Sequence, residues 1–424
     1  MNLSYEQLSI AKPYGPLNLS DHSGTCFFLQ SNGKGKNLLA IGKAEELIVD
    51  KNDAMAVANL REGFRSEDWW FGYVSYEFKD VTEPVVTNTR ATTNNHLLHF
   101  VKPLVVAEWE DNHMRVWTLL AKSDTLRHIE KCFEKKNQIS NPTVRLTART
   151  ERETYLANAK ALQRHIKRGD IYEVNYCIDF YAHEIIPNPY GLYASLNRQT
   201  KAPYSAYVRM DDLYILCCSP ERFLKKEGPR VTMNPIKGTR PRGASKEEDY
   251  KLKQELLFDP KERAENTMIV DLVRNDLSKS AIPGTVQVDE LCSIHSFETV
   301  HQMVSSVSSE VSSEIAFVDL LVDCFPPGSM TGAPKISALK SIDAHEYAQR
   351  GIYSGSIGYL RPGGDFELNV VIRTVIYDAT MPLISLSVGS ALTAVCSPEK
   401  EYEECLLKAE ALRHVMENEP VVLP

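Results

Sequence analysis

The chain has 424 residues, 43% of them apolar, which is enough to build a large hydrophobic core in one or two closely packed units. A net charge of −8 and an isoelectric point near 5.8 argue against nucleic acids and anionic membranes as partners, because a largely acidic exterior would repel them. No stretch approaches the roughly 18 apolar residues of a membrane span, and the first residues lack the pattern of a secretion signal, so we expect a cytoplasmic protein.

The nine cysteines are scattered along the chain, and no two of them form a C-x-x-C pair. An odd number without regular spacing is not typical of a disulfide framework or of a zinc site. We therefore expect most of these cysteines to be small core residues.

Residues 1–122 are predicted to be rich in strands. They contain short aromatic and β-branched runs broken by Gly, Asn and Pro, such as W-W-F-G-Y-V-S-Y-E-F at residues 69–78. The polar segment that follows, residues 123–149, is typical of a helix and a connector. We therefore divide the chain into an N-terminal strand-rich region packed on the core, this connector, and a third region of residues 150–424.

A helix is predicted at the start of the third region. Thr150 and Glu153 have the spacing of a capping box, and Gly169 has the position of a C-terminal stop. The apolar residues between them recur at helical spacing at Tyr155, Ala159, Leu162 and Ile166.

Alternating side chains predict a strand over residues 171–182. One face is apolar and carries Tyr172, Val174, Tyr176, Ile178 and Phe180. The other face carries Glu173, Asn175 and Asp179. Polar groups on that second face could line a cavity.

Two further helix starts are marked by capping residues. Ser245 with Glu248 begins one helix, and Asp259 followed by Pro260 begins another that is predicted to reach about Asn275. Beyond it we predict strands around residues 351–360, 366–378 and 383–388, and a terminal helix over about 398–417. Hairpin-like runs of strands with a few long helices indicate an α+β fold with mainly antiparallel sheets.

Two of these helices carry glutamates beside their apolar faces. Glu262 and Glu265 share one face of the first, and Glu401, Glu404 and Lys408 share one face of the terminal helix. Carboxylates at the edge of a buried face are costly unless a cation meets them, and two pairs could supply the oxygen ligands that Mg²⁺ binds. The alternative, which spacing alone favours, is a pair of solvated acidic faces.

Six motifs follow one another along residues 150–417. They are S-P-E-R-F at 219–223, P-I-K-G-T-R-P at 235–241, A-E-N-T-M-I-V-D-L-V-R-N-D at 264–276, P-P-G-S-M-T-G-A-P-K at 326–335, Y-S-G-S-I-G-Y at 353–359 and I-R-T at 372–374. In this order they resemble the chorismate-binding enzymes, a family that includes anthranilate, isochorismate, salicylate and aminodeoxychorismate synthases. In the N-terminal region, W-F-G-Y-V-S-Y-E at 70–77 is similar to a strand of the same family.

The resemblance implies a fold like that of anthranilate synthase component I. Such a fold has two large, mainly antiparallel β-sheets packed as a sandwich, with helices on the outside. It also implies that residues 150–424 form the chorismate-binding catalytic domain.

Lys237, between P-I and G-T, has the position that separates the chemistries of this family. Anthranilate and isochorismate synthases carry alanine there, whereas members that form aminodeoxychorismate carry lysine. The resemblance therefore implies synthesis of 4-amino-4-deoxychorismate from chorismate and ammonia, on the way to p-aminobenzoate and folate. It implies that Lys237 attacks C2, displaces the C4 hydroxyl and is expelled when ammonia adds at C4.

For this attack the amine of Lys237 must be neutral, whereas a solvated lysine is mostly protonated. We expect burial, together with the positive field of Mg²⁺ and of Arg240 or Arg242, to favour its deprotonation.

Further site residues are implied by the resemblance. Glu221 in S-P-E would protonate the departing C4 oxygen, and His301 would lie near the ring. Mg²⁺ would be held against the ring carboxylate by Glu265 and Glu404, with Glu262 and Glu401 reaching it directly or through water. The expected substrate contacts are Gly238, Thr239, Tyr353, Arg373, Gly389, Ser390, Ala391 and Lys408.

Two positions depart from the family pattern. Ala391 ends a Gly-Ser-Ala run where members often have glycine, so this position gains a methyl group. Glu173 replaces the glutamine that is usual in amine-transferring members and the lysine of water-adding members. The absence of that water-activating lysine weighs against isochorismate formation.

Two other functions stay open as alternatives. One is the chemistry of anthranilate synthase component I, against which Lys237 argues. The other is a non-catalytic module that binds an anionic ligand through Arg240 and Arg242.

The source of ammonia is expected to be another protein. No cysteine lies in a G-x-C-x-G elbow of the kind that a glutaminase uses. We therefore expect a separate glutamine amidotransferase subunit to supply ammonia.

Overall fold

A computed structural model describes residues 4–418 apart from residues 21, 52, 54, 65–66, 94, 135–139 and 299. The strands within these residues are, in chain order, β1 (Glu6–Ala11), β2 (Cys26–Gln30), β3 (Asn37–Ile41), β4 (Glu45–Val49), β5 (Trp70–Val74), β6 (Leu98–Lys102), β7 (Val105–Trp109), β8 (His113–Thr118), β9 (Thr147–Ala148), β10 (Glu173–His183), β11 (Tyr204–Met210), β12 (Leu213–Ser219), β13 (Arg222–Glu227), β14 (Arg230–Met233), β15 (Ile236–Pro241), β16 (Gln287–Ser296), β17 (Val300–Glu310), β18 (Gly332–Ala333), β19 (Ser356–Leu360), β20 (Phe366–Asn369), β21 (Thr374–Asp378) and β22 (Leu383–Leu392).

The helices of the same residues are α1 (Ala56–Gly63), α2 (Lys79–Thr82), α3 (Lys122–Lys131), α4 (Arg152–Arg168), α5 (Pro189–Thr200), α6 (Lys246–Leu257), α7 (Pro260–Ser278), α8 (Phe317–Cys324), α9 (Lys335–His345) and α10 (Pro398–Asn418). Two single 3₁₀ turns cover Tyr76–Phe78 and Gly328–Met330. In the part of the chain that the structure describes, none of the helices combines the length and the apolar character needed to span a bilayer.

The strands form two antiparallel sheets, of twelve and ten strands among the described residues. In the first sheet the order is β1-β8-β7-β3-β2-β11-β12-β21-β22-β10-β18, with β9 beside β10. In the second it is β15-β17-β14-β13-β20-β19-β5-β6-β4, with β16 beside β17. Residues 1–122 are strand-rich as predicted, and their strands extend both sheets. The division of the chain into three regions stays a prediction, and residues 135–139 of the connector lie outside the described residues.

The two sheets pack face to face and the helices cover their outer faces. Along β12, Ile215 and Cys217 belong to the apolar cluster between the sheets, whereas Leu216 and Cys218 belong to the cluster beneath the outer helices. This alternation buries both faces of a strand and gives each fully buried aliphatic side chain about 1.5–3 kcal/mol. The predicted α+β sandwich is therefore confirmed.

The helix α4 begins differently from the prediction. Its first residue is preceded by Glu151 as N-cap, with no side-chain hydrogen bond, so the predicted capping box of Thr150 and Glu153 is wrong. Just before the helix, the amide of Arg149 donates to the carbonyl of Asp179, which keeps the chain against β10 up to this point. The apolar residues of α4 are buried as predicted.

The other predicted helix caps agree with the structure, whereas α7 continues to Ser278, beyond its predicted end at about Asn275. The hydroxyl of Ser245 accepts a hydrogen bond from the amide of Glu248 at the start of α6, and Asp259 accepts from two amides at the start of α7. Gly169 ends α4 in the left-handed conformation, with φ of 85°. Such local signals depend on residues within one turn, which is why the sequence alone predicts them.

The predicted strand over residues 366–378 is not continuous. It is divided into β20, in the second sheet, and β21, in the first, and residues 370–373 cross between them. The amide of Val370 donates to the carbonyl of Glu221, which lies in a second crossing between β12 and β13. The apolar run V-V-I resembles a strand interior, yet its amides bond to Glu221, Gly355 and Val370 rather than to one neighbouring strand. Both crossings contribute to the candidate site.

Candidate active site

Lys237 lies where the two sheets meet, in a buried region with Glu173, Glu221 and Glu265 that we call the cleft. It belongs to β15, the end strand of the second sheet, and its amine is 2.5 Å from Oε1 of Glu173 on β10 of the first sheet. The two side chains are 10% and 1% exposed, respectively. The other oxygen of Glu173, Oε2, is buried and has no hydrogen-bond partner among the described residues. Lys237 is therefore an inward-facing residue of the cleft.

A bulge in β15 turns the backbone at this point. Lys237 is opposite Met303 of β17, but Thr239 is opposite Gln302, so Gly238 is the extra residue. Gly238 has φ of 76°, and a Cβ atom there would lie 2.9 Å from Oε2 of Glu262. The positive φ favours glycine here, and a side chain at this position would also displace the carboxylate of Glu262.

Carboxylates surround the amine of Lys237. Burial alone would lower its pKa, but the charges of Glu173, Glu265 and Glu221 outweigh burial and hold the pKa of Lys237 above its ordinary value. The raised pKa favours the ammonium, so the expected deprotonation by burial is wrong, and the amine has to lose a proton before it can act as a nucleophile.

The expectation that the positive charges of Arg240 and Arg242 act on Lys237 is wrong. Arg240 forms an ion pair with Asp259 at 2.8 Å, and Arg242 forms one with Asp249 at 2.7 Å. Both arginines are thus neutralised by carboxylates of α6 and of the start of α7, so the turn does not present free cations to Lys237. The same pairing leaves little support for an anion-binding module at this turn.

Glu221 is a buried acid in the crossing between β12 and β13. Burial raises its pKa to about 7, against the hydrogen bond from Ser329, whose hydroxyl donates to Oε1 at 2.7 Å. A carboxyl with such a pKa is protonated in an appreciable fraction at neutral pH and can serve as a general acid.

One loop positions both Glu221 and Glu173. It is the P-P-G-S-M-T-G-A-P-K segment at residues 326–335, which contains Ser329 and the short strand β18. Ala333 pairs with Glu173, and a Cβ on Gly332 would lie only 2.1 Å from the carbonyl oxygen of Glu173. The sequence analysis assigns no role to Ser329, and the signal that could have identified it is the P-P-G-S-M-T-G-A-P-K motif that contains it.

Arg373 lies at the crossing between β20 and β21. Its side chain is half-buried, and in the described part of the chain no ion pair or hydrogen bond engages its guanidinium. Burial lowers the pKa of Arg373, while the nearby Glu221 opposes that effect. A half-buried and unpaired guanidinium is suited to binding a carboxylate in a bidentate way.

The remaining expected substrate contacts fall into two groups. Gly389 and Ala391 of β22 lie opposite Cys177 and Asn175 of β10, and buried Tyr353 has its hydroxyl 3.9 Å from Sγ of Cys177. Ser390 instead bonds to the hydroxyl of Tyr155 on α4, so its side chain leaves this face, while Lys408 donates to the carbonyl of Gly389 and Thr239 is exposed.

His301 is buried, and its ring nitrogens bond to residues other than Lys237. Its ring nitrogens lie 2.8 Å from the hydroxyl of Ser296 and 3.0 Å from Oδ1 of Asp249. Among the described residues, no hydrogen bond or ion pair joins His301 to Lys237 or Glu221. His301 thus contacts α6 through Asp249, and its expected position near the ring stays a prediction.

The four glutamates expected to hold a metal come from two helices that face each other. Glu262 and Glu265 lie on α7, and Glu401 and Glu404 lie on α10. Lys261 lies between the two pairs, 2.8 Å from Oε1 of Glu401 and 3.7 Å from Oε1 of Glu265. We had not predicted this role for Lys261, because its partner lies on a different helix.

The glutamates fit a hard divalent cation in their chemistry. Burial raises the pKa of Glu265 to about 7, and Oε1 of Glu265 and Oε2 of Glu401 are buried without hydrogen-bond partners in the described chain. Unpaired carboxylate oxygens of this kind are the ligands that Mg²⁺ prefers. Among the described residues, no three acidic, His or Cys side chains converge as metal ligands. The ammonium of Lys261 lies between the two pairs.

Arg350 is a buried residue that joins two parts of the site, and the sequence analysis does not predict this role. Its guanidinium donates to the carbonyl of Met330, beside Ser329, and to the carbonyl of Asn175 on β10. It also pairs with Glu346 at 2.6 Å. Arg350 thus joins the loop that positions Glu221 to the strand that carries Glu173.

The chain is similar to a known protein family along most of its length. The chorismate binding enzyme family matches residues 24–414. A chloroplastic aminodeoxychorismate synthase of Arabidopsis thaliana is 42% identical over 265 residues, which are 61% of this chain and 28% of that protein. Aminodeoxychorismate synthase component 1 of Klebsiella aerogenes is 38% identical over 271 residues, 64% of this chain and 59% of that protein. The chain thus matches less than two thirds of the length of these curated relatives.

A solved structure shares the fold. Anthranilate synthase component I from Streptococcus pneumoniae superimposes with a TM-score of 0.80 at 23% identity, covering 89% of this chain and 92% of that chain. The likeness agrees with the expected sandwich architecture.

Proposed function

The chain belongs to the chorismate-binding enzyme family, and from this membership we propose that it forms 4-amino-4-deoxychorismate from chorismate and ammonia, as component I of an aminodeoxychorismate synthase. The observation that carries the proposal is the buried amine of Lys237 in the cleft between the sheets. It lies near a buried acid, Glu221, which in turn lies near Arg373, a half-buried cation that has no ion pair among the described residues. The relatives named above support the same substrate.

In the first step, the neutral amine of Lys237 forms a bond to C2 of the ring. The two ring double bonds shift, and the C4–O bond breaks with its electron pair going to the oxygen. Hydroxide is a poor leaving group, so Glu221 gives its proton to this oxygen and water departs. The pKa of Glu221 near 7 suits this task at neutral pH.

In the second step, ammonia forms a bond to C4 from its lone pair. The double bonds shift back, and the bond between C2 and the lysine nitrogen breaks with its electron pair returning to Lys237. Glu221 recovers a proton from the new ammonium group. Nitrogen has then replaced oxygen at C4, and no group has been oxidised or reduced.

Substrate and metal positions follow from the same residues. Arg373 would hold one carboxylate of chorismate, and Tyr353, Gly389 and Ala391 would line the cleft beside the ring. Glu265 and Glu404, with Glu262 and Glu401, would hold Mg²⁺, which supplies Lewis acidity at the ring carboxylate when bound. Lys261 has to leave its position between Glu401 and Glu265 for this binding.

Ammonia would come from a separate glutamine amidotransferase subunit. The Klebsiella aerogenes relative is named a component 1, which supports the existence of a second component. The chain should use ammonium but not glutamine when it is assayed alone, and glutamine-dependent turnover by this chain would refute this part of the proposal.

The test uses purified chain with chorismate, Mg²⁺ and ammonium. We expect aminodeoxychorismate, detected as p-aminobenzoate after addition of the corresponding lyase, and no fluorescence of anthranilate. With ammonia left out, mass spectrometry should find a covalent adduct on Lys237, and Lys237→Ala should abolish it. Anthranilate as the product would support the rival function of an anthranilate synthase component I, whereas unchanged activity of Lys237→Ala would exclude the lysine route.

A further inference from the structure

We propose that Glu173 is a catalytic residue: its carboxylate takes the proton from the ammonium of Lys237 before the attack on C2, and returns it after Lys237 is expelled. This inference rests on the proposed function. It assigns a role to the position at which this chain departs from the glutamine or lysine of the family.

The geometry places these two groups in direct contact. Oε1 of Glu173 is 2.5 Å from the nitrogen of Lys237, which is within proton-transfer reach. In the described part of the chain, no other carboxylate forms a hydrogen bond or an ion pair with this nitrogen. Among the described residues, Glu173 is therefore the group to which the ammonium can pass a proton directly.

Other charged groups near the amine are placed for different tasks. Glu221 accepts the hydroxyl of Ser329, and Glu265 of α7 lies beside Lys261. Glu404 of α10 is paired with Lys408 at 2.8 Å. These carboxylates act on Lys237 through their field, whereas Glu173 touches it.

The position of Glu173 is fixed by its backbone. Glu173 opens β10 and is paired with Ala333 of β18, and the closeness of Gly332 to its carbonyl leaves little room for the strand to move. Its side chain is almost fully buried, and Oε2 is free of partners among the described residues. A carboxyl held in this way faces the amine with Oε1, while Oε2 remains available to hold a proton.

The proton transfer balances within the pair. One N–H bond of the ammonium breaks, its electron pair stays on nitrogen, and the proton bonds to the carboxylate of Glu173. The products are a neutral amine and a neutral carboxylic acid, so the summed charge of the pair does not change. Because no proton enters or leaves solution, this step does not depend on pH over the range in which the ion pair stays intact.

A glutamine at position 173 would remove the base and keep the shape. In Glu173→Gln the proton of Lys237 has to pass to solvent, so the rate should follow the hydroxide concentration. We expect adduct formation without ammonia to be about 10²-fold slower at pH 7 than in the unmodified chain. The rate constant of Glu173→Gln divided by that of the unmodified chain should then rise about tenfold per pH unit, because one proton is lost to solvent. Using the ratio cancels the titration of Glu221, which both proteins share.

The measurement is quenched-flow mixing with chorismate and Mg²⁺, followed by mass spectrometry of the peptide that carries Lys237. Glu153→Gln, on the exposed side of α4, is the matched control and should keep the unmodified rate at every pH. Quenching of protein fluorescence by chorismate shows whether Glu173→Gln still binds the substrate.

Each outcome decides between the two proposals. A ratio that stays constant with pH means that Glu173 is not the proton acceptor, and overturns this inference alone. If the unmodified chain forms neither adduct nor aminodeoxychorismate, the proposed function fails as well. If Glu173→Gln does not fold, Glu173→Asp decides, because it keeps a base at a longer distance. It should be slower with a pH profile parallel to that of the unmodified chain, and an unchanged rate contradicts the role.

Discussion

The ammonium of Lys261 lies 2.8 Å from Oε1 of Glu401. It so links α7, which packs on the second sheet, to α10, which packs on the first. Glu265 is the second carboxylate beside this ammonium, at 3.7 Å. One lysine of the chain thus places a positive charge between the two glutamate pairs that we propose as metal ligands. Lys261 and a divalent cation would compete for the same oxygens.

Replacing Lys261 by methionine should therefore tighten Mg²⁺ binding. Removal of the competing charge should lower the dissociation constant by about three- to tenfold, the size expected for a partly exposed ion pair. Without Mg²⁺ the variant should unfold at a lower temperature, since its glutamates repel each other, and Mg²⁺ should restore more stability than in the unmodified chain.

Calorimetric titration with MgCl₂ at fixed ionic strength measures the affinity. Lys251→Met on α6 is the control, because Lys251 is exposed and forms its ion pair with Glu255 at 3.8 Å, within its own helix. Weaker Mg²⁺ binding by Lys261→Met would show that the lysine orients Glu401 instead of competing with the metal.

Ser329→Ala should shift the pH dependence of the reaction to higher pH. The hydroxyl of Ser329 stabilises the ionised form of Glu221, so its loss raises a pKa that burial already holds near 7. A general acid acts in its protonated form, and activity is lost as pH rises through its pKa. The alkaline limb of kcat/KM should therefore move upward by about one pH unit, as expected for a hydrogen bond to a charged group.

Rates of aminodeoxychorismate formation between pH 6 and 9 give this profile. Glu221→Gln cannot titrate or donate the proton, and we expect it to lose about 10²- to 10⁴-fold in rate. An alkaline limb in Ser329→Ala at the same pH as in the unmodified chain would mean that another group is the acid.

Local features of the fold were predictable from the sequence, whereas contacts across the sheets were not. Caps such as Ser245 and Asp259 work within one helical turn, and the predicted starts of α6 and α7 agree with the structure. Thr150 failed as a cap because pairing of the preceding residues with β10 keeps the chain extended. That pairing is a tertiary effect, which spacing cannot show.

The candidate site shows the same difference between local signals and contacts made by tertiary packing. The resemblance placed Lys237 and Glu221 in one site, and the structure brings both into one cleft. Ser329, separated from Glu221 by 108 residues, and Lys261, paired across two helices, depend on packing that no short window reveals. The crossing at Arg373 was hidden because an apolar run looks alike in a strand and in a buried crossing.

Arg373→Lys should weaken chorismate binding with a smaller effect on kcat. Lysine keeps the charge but cannot bind a carboxylate through two parallel hydrogen bonds. Loss of one hydrogen bond to a charged group corresponds to about a 10- to 100-fold rise in KM. Arg230→Lys is the control, because Arg230 forms an ion pair with Asp289 at 2.9 Å and is half-exposed.

Steady-state kinetics of both variants, with chorismate varied at saturating ammonium, provide the comparison. If Arg373→Lys lowers the unfolding temperature and leaves KM unchanged, Arg373 has a structural role at the crossing and does not anchor the substrate.

Gly389→Ala should destabilise the floor of the cleft by steric overlap. A Cβ atom at this position would lie 2.7 Å from Sγ of Cys177 and 2.9 Å from Oδ1 of Asn175, both on the neighbouring strand β10. Overpacking of a buried position costs about 1–3 kcal/mol in the free energy of unfolding, measured by denaturant titration. The double variant Gly389→Ala, Cys177→Ala removes the sulfur and should recover part of that loss. If the double variant is no more stable than the sum of the two single variants predicts, the contact with Cys177 is not the origin of the effect.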